Sequence, residues 1–227
     1  MQILEKYPEL ASSPTSLIFE LTLNLAEAGD FERAENLFHN RFFPREEGGT
    51  NVRQVWIEVQ LQKLTAYAKS NRCTEAVAIA ERLGREAPGL DFARDGLAPI
   101  VDSARAQYLM ATAYATCGKT QEAEAKLQVA AKAFAPDQVL WAWQAAQKLP
   151  GFDARVWQER LRSASADAEG RTQTSSFAGW WHYTTGALQA ALGNRKEADR
   201  EFQKALLLPD RMMSYHCTRL ARAENGR

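Results

Sequence analysis

Cysteine is scarce in this chain. The three residues, Cys73, Cys117 and Cys217, are odd in number and far apart, which argues against a disulfide framework and for a reducing compartment. Net charge is absent: 28 Lys and Arg balance 28 Asp and Glu, so no overall basic field gathers nucleic acid or anionic lipid. No apolar run approaches the ~18 residues that a membrane span requires. Residues 1–10 hold no basic stretch followed by an apolar one, so no secretory leader is expected. What these absences leave is a cytoplasmic globular protein. With 227 residues, 45% of them hydrophobic and 25% charged, the chain can build a substantial core.

The groups that carry chemistry are equally sparse. His39, His182 and His216 are the only histidines, and none stands at a metal-ligand spacing from another donor. His182 follows Trp180 and Trp181 and is expected to be a packed imidazole. Gly48-Gly49 lacks the Lys and Ser/Thr of a phosphate loop, and no Gly-x-Ser-x-Gly elbow occurs. Glu46 and Glu47 are adjacent, so their carboxylates point apart. Asp91, Asp95 and Asp102 flank Pro99 and are expected to cap a helix starting there. Arg195, Lys196, Arg200 and Lys204 alternate with Glu197, Asp199 and Glu201, as on a solvated helix face. The expectation is a chain without catalysis, metal or cofactor that binds neither nucleic acid nor membrane.

What is present is repetition. Four segments share one layout: an apolar helix, a polar turn, then a helix carrying a small residue and a residue four positions later that fills the groove. The turn residues are Gly29, Asn71, Gly118 and Gly193, and each is followed five positions later by alanine: Ala34, Ala76, Ala123 and Ala198. A tight turn between antiparallel helices needs a residue that tolerates positive φ, which Gly and Asn do. Where the helices cross closely only a small side chain fits. Phe38, Ala80, Leu127 and Phe202, four residues on, share that helix face. Helical periodicity predicts about eleven helices, over 15–28, 31–40, 51–69, 73–86, 98–116, 119–133, 137–148, 153–168, 175–191, 195–207 and 211–223. All eight prolines fall outside the helix interiors so drawn, and no stretch alternates in the manner of a strand.

At these positions the chain resembles the tetratricopeptide repeat, over residues 15–44, 57–90, 104–136 and 179–209. The turn residues are spaced by 42, 47 and 75 residues, whereas the family period is about 34. The longest gap is expected to hide a degenerate pair within 137–168, joined at Pro150-Gly151, and 211–223 is expected to cap the array. The resemblance implies a single all-α domain, a right-handed superhelical solenoid of antiparallel helix pairs. It further implies that the first helix of each pair lines a concave groove, to which the second repeat contributes Gln62, the third Arg105 and Tyr108, and the fourth Trp180 and Tyr183. Arg105 is the one cation on that face, too few for a carboxylate clamp. The implied function is a non-catalytic scaffold that binds a peptide, helix or partner domain.

A second resemblance lies in Arg41-Phe42-Phe43-Pro44-Arg45-Glu46-Glu47-Gly48-Gly49. It is similar to a segment of uncharacterised bacterial proteins in which a β-rich, sugar-enzyme-like domain precedes a tetratricopeptide region. It implies an alternative role, an accessory helical module of a larger carbohydrate-active protein, with that N-terminal domain as a partner. A second interaction surface is then expected around Glu46, Arg53 and Trp56.

Overall fold

The computed structural model describes residues 15–39, 43, 51–85, 90, 94–208 and 212–225. These form twelve α-helices and no strand: α1 (Thr15–Glu27), α2 (Phe31–Asn36), α3 (Val52–Lys69), α4 (Cys73–Arg82), α5 (Arg94–Val101), α6 (Ala104–Thr116), α7 (Thr120–Ala130), α8 (Val139–Ala146), α9 (Ala154–Thr174), α10 (Ala178–Ala191), α11 (Arg195–Leu207) and α12 (Met212–Asn225). The all-α expectation therefore holds among the described residues.

The four turns expected from the repeat are built alike. Gly29, Asn71, Gly118 and Gly193 have φ of 81°, 61°, 74° and 85°. Asn71 is the one non-glycine residue there, and asparagine is the side chain that best tolerates that region. Three of the turns close with the same hydrogen-bond pair: Asp30, Arg72 and Asn194 donate five residues back, and Gly29, Asn71 and Gly193 three residues back. This pattern satisfies the orphan carbonyls of the first helix. The next residue is then set for the second helix: Asp30, Arg72, Lys119 and Asn194 all have φ between −86° and −88° and ψ between 61° and 68°. Its carbonyl accepts from the N–H of Ala34, Ala76, Ala123 or Ala198, and all four alanines are buried. Gly151, at the expected join of the degenerate pair, also has a positive φ of 80°.

By its contacts the chain divides into two compact units. Unit 1 takes the described residues up to Val101 together with Ala113–Gly118. In it α1 packs on α2 and α3, and α3 on α4 and α5. Phe19, Phe38, Val55, Leu64 and Leu97 are fully buried. Unit 2 takes Asp102–Thr112 and the described residues from Lys119 onward. In it α7 packs on α8, α8 on α9, α9 on α10, and α10 on both α11 and α12. The α10–α11 crossing is close: a Cβ on Gly186 would lie 2.7 Å from the Phe202 ring.

Three expectations fail. Residues 98–116 form two helices rather than one, because Ser103 accepts from the Ala106 N–H and starts α6 afresh, while Gln138 Oε1 takes the Ala104 N–H at 2.8 Å. The first of the two begins upstream at Arg94, so Pro99 lies inside α5 and Asp95 is within the helix rather than capping one that starts at Pro99. Pro99 removes a helical N–H, and the helix ends two residues later. Pro136 and Pro150 lie in turns; Pro8, Pro14, Pro44, Pro88 and Pro209 lie outside the described residues. Third, Cys73 and Cys117 form a disulfide, with Cα atoms 5.3 Å apart. Cys73 opens α4 and Cys117 follows α6, both beside hairpin turns, so a sequence separation of 44 closes in space. Cys217 is the cysteine outside the disulfide, and it is buried. The cysteine argument for a reducing compartment falls with that bond. No helix of the described residues is long and apolar enough to cross a membrane.

Candidate functional site

Of the residues expected in a groove, Arg105 and Tyr108 form a group. Both stand on α6, within unit 2, above a cluster of Ala104, Ala111, Leu127, Ala130 and Ala145. Trp141 of α8 completes it: its ring centroid lies 5.7 Å from that of Tyr108, and the Arg105 guanidinium lies 5.6 Å from the indole. Lys148, beyond the end of α8, places Nζ 5.9 Å from the Tyr108 ring. Arg105, Tyr108 and Trp141 are half-buried and Lys148 is exposed. Two cations against two aromatic rings make a positively charged, partly apolar surface, the complement of an acidic group carried beside an aromatic one.

Trp180 and Tyr183 stand apart from this group. Their rings are 5.2 Å apart, but Tyr183 is 7% exposed and belongs to a core cluster with Ala187, Ala198, Phe202, Ala205 and Cys217. Its ring lies 6.5 Å from that of Phe202. Phe202 takes the space that the absent Gly186 side chain leaves at the α10–α11 crossing, and Tyr183 packs beside it in the core. Gln62, in unit 1, donates to Glu58 at 3.0 Å along the same helix, and Glu58 is 1% exposed. Arg53 lies across Gly96, where a Cβ would come within 2.3 Å of Nε. Trp56 packs edge-on to Phe38 at 5.2 Å. Glu46 lies outside the described residues.

Sequence reasoning missed two features of unit 2. The first is a buried ionic cluster. His182 Nδ1 lies 2.6 Å from Glu201 Oε2, and Lys204 Nζ donates to Oε1 at 2.5 Å. Glu201 retains 6% side-chain exposure and His182 15%. Burial pushes the Glu201 carboxyl up, but the hydrogen bonds from Lys204 and His182 outweigh it and hold the pKa below the usual glutamate value. Glu201 is therefore ionised, so His182 donates through Nδ1–H. With both oxygens engaged, the carboxylate orients α10 against α11 rather than offering a base. The expected solvated face of α11 is overturned at this residue. One signal existed: Glu201 stands three residues after Ala198 and four before Ala205, on the inward side.

The second feature is a cleft of about 680 Å³ beside α9, lined by Trp143, Phe152, Gln158, Ser165, Gln189 and Asn194 among others. Asn194 Nδ2 donates to Gln189 Oε1 at 2.7 Å, and Gln189 Nε2 donates to Ser165 Oγ at 3.0 Å. This chain ties the end of α10 and the turn after it to the middle of α9. The described residues hold no cluster of three or more His, Cys, Asp or Glu able to bind a metal ion.

No protein-family model, no curated protein and no solved structure matches this chain.

Proposed function

We propose that the chain is a tetratricopeptide-like right-handed solenoid acting as a non-catalytic scaffold for an acidic, aromatic-bearing peptide or partner segment. One observation carries the reading. Four hairpins repeat a left-handed residue at the same turn position, near-identical N-cap dihedrals and a buried alanine at the same spacing. Stacked hairpins of that kind bury one face and leave the other for a partner. Within unit 2 the group Arg105, Tyr108, Trp141 and Lys148 supplies the binding face, since Arg and aromatic anchors dominate interface energies. The Cys73–Cys117 bond is of a kind characteristic of oxidising compartments, which removes the cysteine argument from the cytoplasmic reading.

The test is a titration of the chain with fluorescent peptide pools, one acidic and one basic, each rich in Phe and Tyr. The acidic pool binds. Arg105→Glu combined with Lys148→Glu weakens it at least about tenfold with an unchanged melting temperature. Equal binding of both pools, or an unaffected double variant, refutes the proposal.

A further inference from the structure

The cleft beside α9 lies apart from the cationic group just described, and its chemistry differs. Its polar groups are amides and a hydroxyl: Gln147, Gln158, Gln189, Asn194 and Ser165. Its charges cancel, one Arg162 against one Glu169, and Arg162 is already engaged with Glu159 at 3.5 Å. A primary amide offers two N–H donors and two acceptor lone pairs. Gln189 uses one donor on Ser165 and one lone pair toward Asn194, which fixes its orientation and leaves one of each for a ligand. A lining that both donates and accepts, without net charge, suits ligand groups that do both. Hydroxyls are such groups.

Two aromatic side chains complete the site. Trp143 is half-buried, and Phe152 keeps 37% exposure on the rim, although exposed aromatics cost solvation. Flat aromatic faces pack against the C–H faces of sugar rings, while amides around them reach the ring hydroxyls. The volume of about 680 Å³ lies inside the ~300–1,000 Å³ range of small-ligand sites. Ala154, Gln158, Ser165 and Glu169 all line it, so it runs along α9 for about 22 Å at 1.5 Å per residue. That length fits a chain of rings better than a single one. An extended peptide wants a row of polar partners along one edge. Here the amides come from α9, from the end of α10 and from the turns after α8 and α10, and they converge from several sides.

We propose that this cleft binds a short neutral oligosaccharide, with Phe152 and Trp143 as stacking faces and Gln158, Gln189 and Asn194 as hydroxyl partners. The reading is independent of the peptide scaffold, since it uses other residues and another ligand class. The experiment is calorimetric titration of the full chain with neutral malto-, cello-, xylo- and manno-oligosaccharides, alongside a neutral Ser/Gly/Ala peptide of matched length. At least one sugar series binds saturably, and raising salt changes its affinity less than about twofold, because no charge is used. Phe152→Ala and Gln158→Ala, both at solvent-exposed positions, each weaken it, Phe152→Ala by about tenfold or more, with melting temperatures unchanged. Absence of saturable binding by every series, sugar binding untouched in both variants, or binding of the neutral peptide instead overturns the proposal.

Discussion

Ala123 and Ala198 are 4% and 3% exposed, and each N–H closes the first turn of its helix. A methyl group is what the crossing admits there. Ala123→Arg and Ala198→Arg are expected to cost about 3 kcal/mol or more, from overpacking and from burying an unpaired charge. Glu122, one position earlier, is exposed, and Glu122→Arg should fall within about 0.5 kcal/mol of the parent. Thermal melts that rank Glu122→Arg below Ala123→Arg would show the helix face to be misassigned. Glu201 gives a second test at this scale. Its carboxyl is held below the ordinary 4.5 in the folded chain, so the folded state binds fewer protons than the unfolded one. The stability it confers is therefore complete above that ordinary value and lost as pH falls through the folded value. Glu201→Gln is expected to lose about 1–3 kcal/mol at pH 7, with a smaller gap to the parent under acid conditions. Denaturant melts of both proteins at neutral and acid pH measure this, and a gap that does not narrow in acid would refute the role.

The helix pairs show which features a sequence can reveal and which it cannot. The turn at residues 29–30 is a local event: a residue free to take positive φ, the next residue as N-cap, and an alanine four further on. Every component lies within six residues, so Gly29, Asn71, Gly118 and Gly193 announce it. Tyr108 with Arg105 is local as well, one turn apart on α6. The missing features are pairings across elements. Glu201 reaches His182 from the neighbouring helix; its spacing from Ala198 and Ala205 marks it as inward, against the half-buried Glu197 and exposed Asp199, but nothing local names His182 as its partner. The cleft needs α9, α10 and two turns together. Cys73 and Cys117 meet because two hairpin turns come together, and a cysteine count cannot report that. The disulfide yields its own prediction. Unfolded in denaturant without reductant, the chain should present one titratable thiol, Cys217, and three after reduction. Reduction should also lower stability, by up to about 4 kcal/mol for a closed loop of this length. Three thiols before reduction would show the bond to be absent.

The two compact units are interleaved in sequence, because α6 gives residues 104–112 to unit 2 and 113–116 to unit 1. A cut at the third turn, after Gly118, therefore does not release a complete unit 2. A fragment of residues 119–227 lacks Ala104 and Ala111, which share a buried cluster with Leu127, Ala130 and Ala145. It also lacks Tyr108, whose ring rests against Trp141, and the Ala104 N–H held by Gln138 at 2.8 Å. Uncovering that surface returns several apolar side chains to water. At about 25 cal/mol per Å², an exposure of about 100 Å² forfeits about 2.5 kcal/mol. In a domain of this size, 1 kcal/mol moves the melting temperature by about 4–8 °C. The fragment 102–227 keeps all of these contacts. It is expected to melt cooperatively and at least about 10 °C above the fragment 119–227, as followed by the helical circular dichroism signal. Equal melting of the two fragments would show that α6 contributes nothing to the core of unit 2, and that the Arg105–Tyr108–Trp141 group has no folded support on that side.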